Sequence, residues 1–148
     1  MIYDRTQSDI ENAKIARAKI QAGETLSDSD KEYLLRGTLT IDALNRIENK
    51  TKELDIGTNN AFYIGKETQT KEWGYEDYFK QSDADRWIEN LQKLKDRFFV
   101  YEDTVFPSAN YLDFKNVNNI EKMLFDVGEI LSEMVSLYKI CGKTECGE

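Results

Sequence analysis

The chain has no histidine, one proline, two cysteines and no unbroken apolar run longer than four residues. The first absence removes Ser-His-Asp and Cys-His nucleophile pairs, H-E-x-x-H metalloproteases and imidazole acid–base catalysis. The short apolar runs, such as Ala61 to Ile64, fall far below the ~20 residues that span a bilayer, which predicts no membrane crossing. At the start, Met1-Ile2-Tyr3-Asp4-Arg5 shows neither a basic leader nor an apolar h-region, so a mature chain starting near Met1 is expected. Cys141 and Cys146 stand five apart near the C-terminus. Two sulfurs without histidine do not close a structural zinc site, and a disulfide between them requires an oxidising setting, so free thiols on a frayed tail are the simpler reading. Basic residues are in deficit too. Twenty Lys and Arg face 28 Asp and Glu, for a net charge of −8. That balance opposes nucleic-acid binding, which depends on clustered cations at phosphates. The brief cluster Lys93, Lys95, Arg97 is surrounded by Glu89, Asp96, Glu102 and Asp103.

What the chain has is enough for one globular domain. Its 148 residues bury roughly 70% of the unfolded surface on folding, sufficient for a core without metals or disulfides. The composition is 40% hydrophobic and 32% charged with a mean hydropathy of −0.65, which describes a folded body with a well-solvated surface.

Helical period runs through most of it. Ser8 with Glu11 has the spacing of a capping box, followed by Ile10, Ala13, Ala16 and Ile20 and stopped by Gly23. A second helix opens at Ser27 or Ser29 and stops at Gly37. A third opens at Thr40, runs through Ile41, Leu44, Ile47 and Leu54, and ends at Gly57. Ser82 starts a fourth, with Trp87, Leu91, Leu94 and Phe98 as its core positions, and Pro107 lies in the connection that follows. The strongest stripe is Val117, Ile120, Leu124, Val127, Leu131, Met134 and Tyr138, widened by Met123, Ile130 and Leu137. That breadth suits a helix buried in a bundle better than a two-stranded zipper. Gly128, mid-helix, marks either a close approach or a tolerated exposed position. The fold expected is mainly α: a bundle of four to five helices in one domain, with N-terminal helices at 1–57, an aromatic-rich loop at 58–81, two longer helices at 82–140 and a flexible tail at 141–148.

The loop mixes β-branched, aromatic and polar residues without a 3.6 period, which leaves room for a short strand or hairpin at 61–72. Within it Trp73, Tyr75, Tyr78 and Phe79 are the candidate binding residues, since Trp and Tyr favour interfaces and stack on sugars. Packing of the same rings on their own bundle is the competing reading. Other motifs are weak. Gly142-Lys143-Thr144 lacks the first glycine of a phosphate loop and follows a helix instead of preceding one. Asp28, Asp30 and Glu32 resemble the start of a calcium loop, but Tyr33 occupies the glycine position, so these acids are read as favouring a helix dipole. Asn49-Lys50-Thr51 matches a glycosylation acceptor only formally, inside a helix. A pair of carboxylates for a small hydrolase stays open, because sequence spacing cannot locate one. No cofactor or metal site is expected.

Certain strings carry more than composition does. Tyr3-Asp4-Arg5-Thr6-Gln7-Ser8-Asp9, Leu35-Arg36-Gly37 with Leu44-Asn45-Arg46-Ile47-Glu48, and Asn119-Ile120-Glu121-Lys122-Met123-Leu124-Phe125-Asp126-Val127 resemble a family of small structural proteins encoded among tail genes in prophages of gut Firmicutes. The likeness covers most of the chain and is thinnest from Gly57 to Lys80. It departs from the family pattern at Ala43, where an acid usually stands, and at Cys141 and Cys146, where serines usually do. What the resemblance implies is a non-enzymatic virion protein of the tail, tail tip or fibre, made in the host cytoplasm. Its partners would be further copies of itself and other tail proteins. The alternative is a carbohydrate or cell-surface module that contacts a host glycan through the aromatic loop. Two of the strings also make local sense: Asp42 and Arg46 are an i,i+4 pair, and Arg5 stands beside Asp4 and four before Asp9. Arg5 and Arg46 are therefore expected to tie the N-terminal segment to the bundle.

Overall fold

Caps define where each helix begins. Thr6 and Asp9 close a reciprocal capping box and start α1 (Gln7–Gln21) two residues earlier than Ser8 would, because Thr6 is the residue with extended backbone whose oxygen reaches the Asp9 N–H. Ser27 with Asp30 does the same for α2 (Asp28–Gly37), and the Thr40 hydroxyl caps α3 (Ile41–Phe62). At α4 (Gln81–Lys95) the Asp83 carboxylate accepts from the Lys80 N–H, so the helix opens slightly before Ser82. The fifth, α5, spans Phe114–Thr144. The computed structural model describes residues 1–98, 101–108, 110 and 112–144, the last five as backbone only, and among them the architecture is mainly α, a helical bundle with no strand.

Two expectations about boundaries are corrected. α3 does not stop at Gly57 but continues to Phe62, where Tyr63 takes a left-handed conformation (φ 57°) and its N–H bonds the Asn59 carbonyl. A glycine mid-helix is tolerated when tertiary packing holds both sides. The tail expected from residue 141 is helical through Thr144. The Cys141 side chain and Cys146 lie outside the described residues, and with them the question of their pairing.

α1 and α2 form an antiparallel hairpin. Lys19 meets Asp30 at 2.8 Å near one end, and Arg36 meets Asp9 at 3.3 Å near the other. Gly37 allows the close approach between them, since a Cβ there would collide with the Asp9 carbonyl and the Ala13 side chain. Ala13 and Ala16 are buried in the hairpin, whereas Ile20, expected on the same stripe, is 52% exposed.

The remaining three helices run in one direction. α3 and α5 advance together, with Arg46 at Glu121, Lys50 and Leu54 at Gly128, and Gly57 at Leu131. α4 follows α3 the same way, Glu48 meeting Arg86 and Trp87, and Asp55 meeting Arg97 just beyond the helix end. Their shared core is Leu44, Ile47, Leu54, Trp87, Leu91, Leu94, Val117, Ile120, Met123, Leu124, Val127 and Leu131. Short loops would make neighbouring helices antiparallel, so parallel neighbours require connections that travel back the length of the bundle. Residues 63–80 and 96–113 are those connections.

The hairpin's Asp30 gives a measurable handle on stability. Hydrogen bonds from Lys19 and from Ser27 hold its carboxyl down at about 2. A depressed carboxylate contributes fully above its unfolded value near about 3.9 and loses that contribution as pH falls through its folded value. The gap in urea midpoint between wild type and Asp30→Asn should therefore be widest near about pH 6 and shrink between about pH 4 and pH 2. A gap independent of pH would show that Asp30 does not carry the linkage.

Candidate docking groove

Buried carboxylates at core positions of α3 and α5 organise everything around them. Glu121, completely buried, accepts from Arg5 Nη2 at 3.0 Å and Arg46 Nη2 at 2.7 Å, and also from the Ile2 N–H. Asn118 adds bonds in both directions with the Arg5 backbone. Arg5 and Arg46 thus meet on one acid and tie the N-terminal arm to α3 and α5. Asp42 takes no part: it is exposed and forms no ion pair among the described residues, because the Arg46 side chain turns inward to a partner it can desolvate with. Asp4 and Asp9 are likewise served by Arg36, not by Arg5.

Glu48 is the second hub. Its two oxygens accept from both Arg86 terminal nitrogens at 2.9 and 2.7 Å, from the indole N–H of Trp73 at 3.1 Å and of Trp87 at 2.8 Å, and from the Lys71 backbone at 3.2 Å. Further along α3, Asp55 accepts from the backbone of Glu67 and Thr68, the Thr68 hydroxyl and Arg97. Burial pushes the Asp55 carboxyl up, but the bonds from Arg97 and Thr68 outweigh it and leave it below the ordinary range. Asn45 bonds both backbone groups of Trp73, and Asn90 both of Gln69. Residues 67–73 are therefore an extended strap whose backbone is paired with side chains of α3 and α4, antiparallel to α3, in place of the strand or hairpin allowed for at 61–72.

The strap divides the aromatic quartet. Trp73 is 3% exposed and stacks on Phe79 at 5.6 Å, and Phe79 in turn packs on Trp87 at 5.0 Å. These two rings belong to the core, so they are withdrawn as binding residues. Tyr75 and Tyr78 stand 96% and 82% exposed around the Gly74–Asp77 turn, which the Asp77 carboxylate closes on the Gly74 N–H. Glu48, Asp55 and Glu121, which no spacing singled out as hubs, are each bonded to arginine cations and to N–H groups.

A concavity lies elsewhere, between the C-terminal halves of α3 and α5, with a volume of about 730 Å³. Its floor is apolar, with Leu54, Ala61, Phe62, Leu131 and Val135, and its rim polar, with Lys50, Glu53, Asn60, Ser132, Ser136 and Lys139. Gly57 keeps the floor low, since an added Cβ would stand 3.0 Å from the Leu131 side chain. At Gly128 an added Cβ would meet Lys50 and Leu54 at ordinary contact distance, so neither of the two readings of that glycine needs strain. Beside the groove the predicted α5 stripe changes character. Val117 through Leu131 are buried as expected, but Met134, Leu137 and Tyr138 are 40%, 61% and 70% exposed. α5, 31 residues and about 46 Å long, outruns α3, 22 residues and about 33 Å, so its final turns run on past the end of α3.

No family model matches the sequence, and comparison with curated proteins and with solved structures finds no similar chain.

If Glu48 holds the strap, Glu48→Ala should free it. Trypsin under native conditions should then cut at Lys66 or Lys71 at least about tenfold faster than in wild type, because local opening controls cleavage. Equal rates would mean that the aromatic packing alone keeps the strap in place.

Proposed function

We propose that the protein is a non-enzymatic assembly component, a virion structural protein of a phage tail, tail tip or fibre, that works by protein–protein contact through the C-terminal end of its bundle. The observation that carries this reading is the uncovered apolar end of α5 beside a groove with an apolar floor and polar rim, the anatomy of an interface core and its surround. Glu48, Asp55 and Glu121 are each paired with an arginine inside the bundle. The tail-protein reading draws its support from the strings around Arg5, Arg36, Arg46 and Glu121. The first, second and fourth of these bond to one another directly or through a backbone carbonyl, and the third shares the acid, so the most family-like residues form one structural unit. A host-surface glycan contact, the second reading, narrows to Tyr75 and Tyr78, the two of the four candidate aromatics that stand exposed.

The test is particle composition. Virions induced from the source bacterium and banded by density should contain this chain in fixed stoichiometry with tail proteins by mass spectrometry. Expression of the chain in induced cells with none in the purified particles would overturn the reading.

A further inference from the structure

Residues 1–37 are held differently from the rest of the fold. Among the described residues, the bundle's core and the apolar side chains packed against it include Met1 and Leu39 but none from residues 7–37. Within the α1–α2 hairpin only Ala13, Ala16 and Asp30 are buried, so no large apolar side chain fills it. Where it meets the bundle, Ile10 and Gly37 line a cavity of about 160 Å³ with Leu112 and Val117, which leaves the seam only partly filled. Isolated helices of 15 and 10 residues are marginal, and two buried alanines add little to them. The hairpin's order therefore depends on its docking, and the docking runs through Arg5. Its Nε donates to the Arg36 carbonyl of α2 at 2.9 Å, while Nη1 donates to Asn118 and Nη2 to Glu121 of α5, at 3.1 and 3.0 Å. One guanidinium thus bridges hairpin and bundle.

We propose that residues 1–37 are a releasable arm with Arg5 as its latch: the N-terminal segment and the hairpin undock from the start of α5 and lose their helical order together, while α3, α4 and α5 stay folded. The observation that carries this is the sharing of one acid by two cations. Arg5 and Arg46 donate to the same Glu121 oxygen, at 3.0 and 2.7 Å. Releasing one partner of a buried pair ordinarily strands the other charge in the interior. Here Arg46, on α3, stays with Glu121 when Arg5 leaves for water, so the open form keeps its buried acid paired. The other ties of the arm are few and break with it: the Ile2 N–H on Glu121, the two bonds between Asn118 and the Arg5 backbone, and the Tyr3 ring 5.4 Å from Phe125. Segments with few buried apolar contacts are those that open below the global unfolding energy, and the ordering and disordering of such a segment is a recurrent switching element. The arm does not depend on the assembly role proposed above.

Amide hydrogen exchange of the full chain, under conditions in which the opening equilibrium sets the rate, tests this. In wild type the helical amides of α1 and α2 should share one level of protection, at least about 100-fold below that of the buried faces of α3 and α5. Arg5→Met should speed exchange throughout residues 7–37 about tenfold, since it removes the latch. Arg46→Met should act in opposite directions on the two regions. It weakens the folded bundle, so α3 and α5 exchange faster, but it strands Glu121 in the open form, so residues 7–37 exchange no faster than in wild type and the gap between the regions narrows. Protection of α1 and α2 within about fivefold of α3 and α5 in wild type would show one cooperative unit and overturn the proposal. So would exchange in residues 7–37 indifferent to Arg5→Met, or an Arg46→Met variant in which both regions speed up equally.

Discussion

Three helices that point the same way cannot be joined by tight turns, and that constraint shapes the rest of the molecule. The chain must travel back along the bundle twice, and the first return segment lies against helices without a sheet to satisfy its backbone. The strap solves this with side chains. Asn45, Glu48, Asp55 and Asn90 stand at inward positions of α3 and α4 and take up the N–H and carbonyl groups that a neighbouring strand would otherwise pair. Buried acids are costly unless fully bonded, and three of them are matched with arginines: Glu48 with Arg86, Asp55 with Arg97, Glu121 with Arg5 and Arg46. Along the second return Asp126 plays a similar part, accepting from the Thr104 hydroxyl and from Lys122.

The same geometry explains where the surface is unfinished. Parallel helices of unequal length end at different heights, and α5 is the longest. Its partners cover it from Val117 to Leu131 and then stop. The hairpin of α1 and α2 sits near the opposite end, where Arg5 and Arg36 hold it beside the start of α5, so it offers no cover to Met134, Leu137 and Tyr138. An exposed apolar stripe at the tip of the longest helix is thus a consequence of the topology.

How much of this was legible in the sequence follows from which physical signal each feature emits. Helices announce themselves through caps and period, and the stripes from Trp87 to Phe98 and from Val117 to Leu131 pack as their spacing predicts. Gly57 and Ser8 misled because a local stop or start signal is overridden when packing or a better-placed cap competes, here the contact with Leu131 and the Thr6–Asp9 box. The strap was unreadable as structure because its order comes from partners 12 to 28 residues away, with no period of its own. The hubs did leave a trace. Glu48, Thr51, Asp55 and Thr58 interleave with Leu44, Ile47 and Leu54 on the inward side of α3, and Glu121 follows Ile120 on the inward side of α5; polar residues inside an apolar stripe are the mark of buried bonding. Arg5 and Arg46 were identifiable as ties, but their common acid was not, since nothing in the spacing joins residues 5, 46 and 121. The division of the aromatic loop into buried Trp73 and Phe79 and exposed Tyr75 and Tyr78 likewise depends on where the indole finds Glu48.

At the centre of this account, buried carboxylates hold the N-terminal arm and the return segments onto a parallel bundle. A double-mutant cycle on Arg5 and Glu121, read as unfolding free energies of Arg5→Met, Glu121→Gln and the pair together, measures that directly. A coupling energy above about 1 kcal/mol is predicted for groups bonded at 3.0 Å in the interior. Effects that add to within about 0.5 kcal/mol would contradict it and assign the arm's attachment to apolar contacts alone.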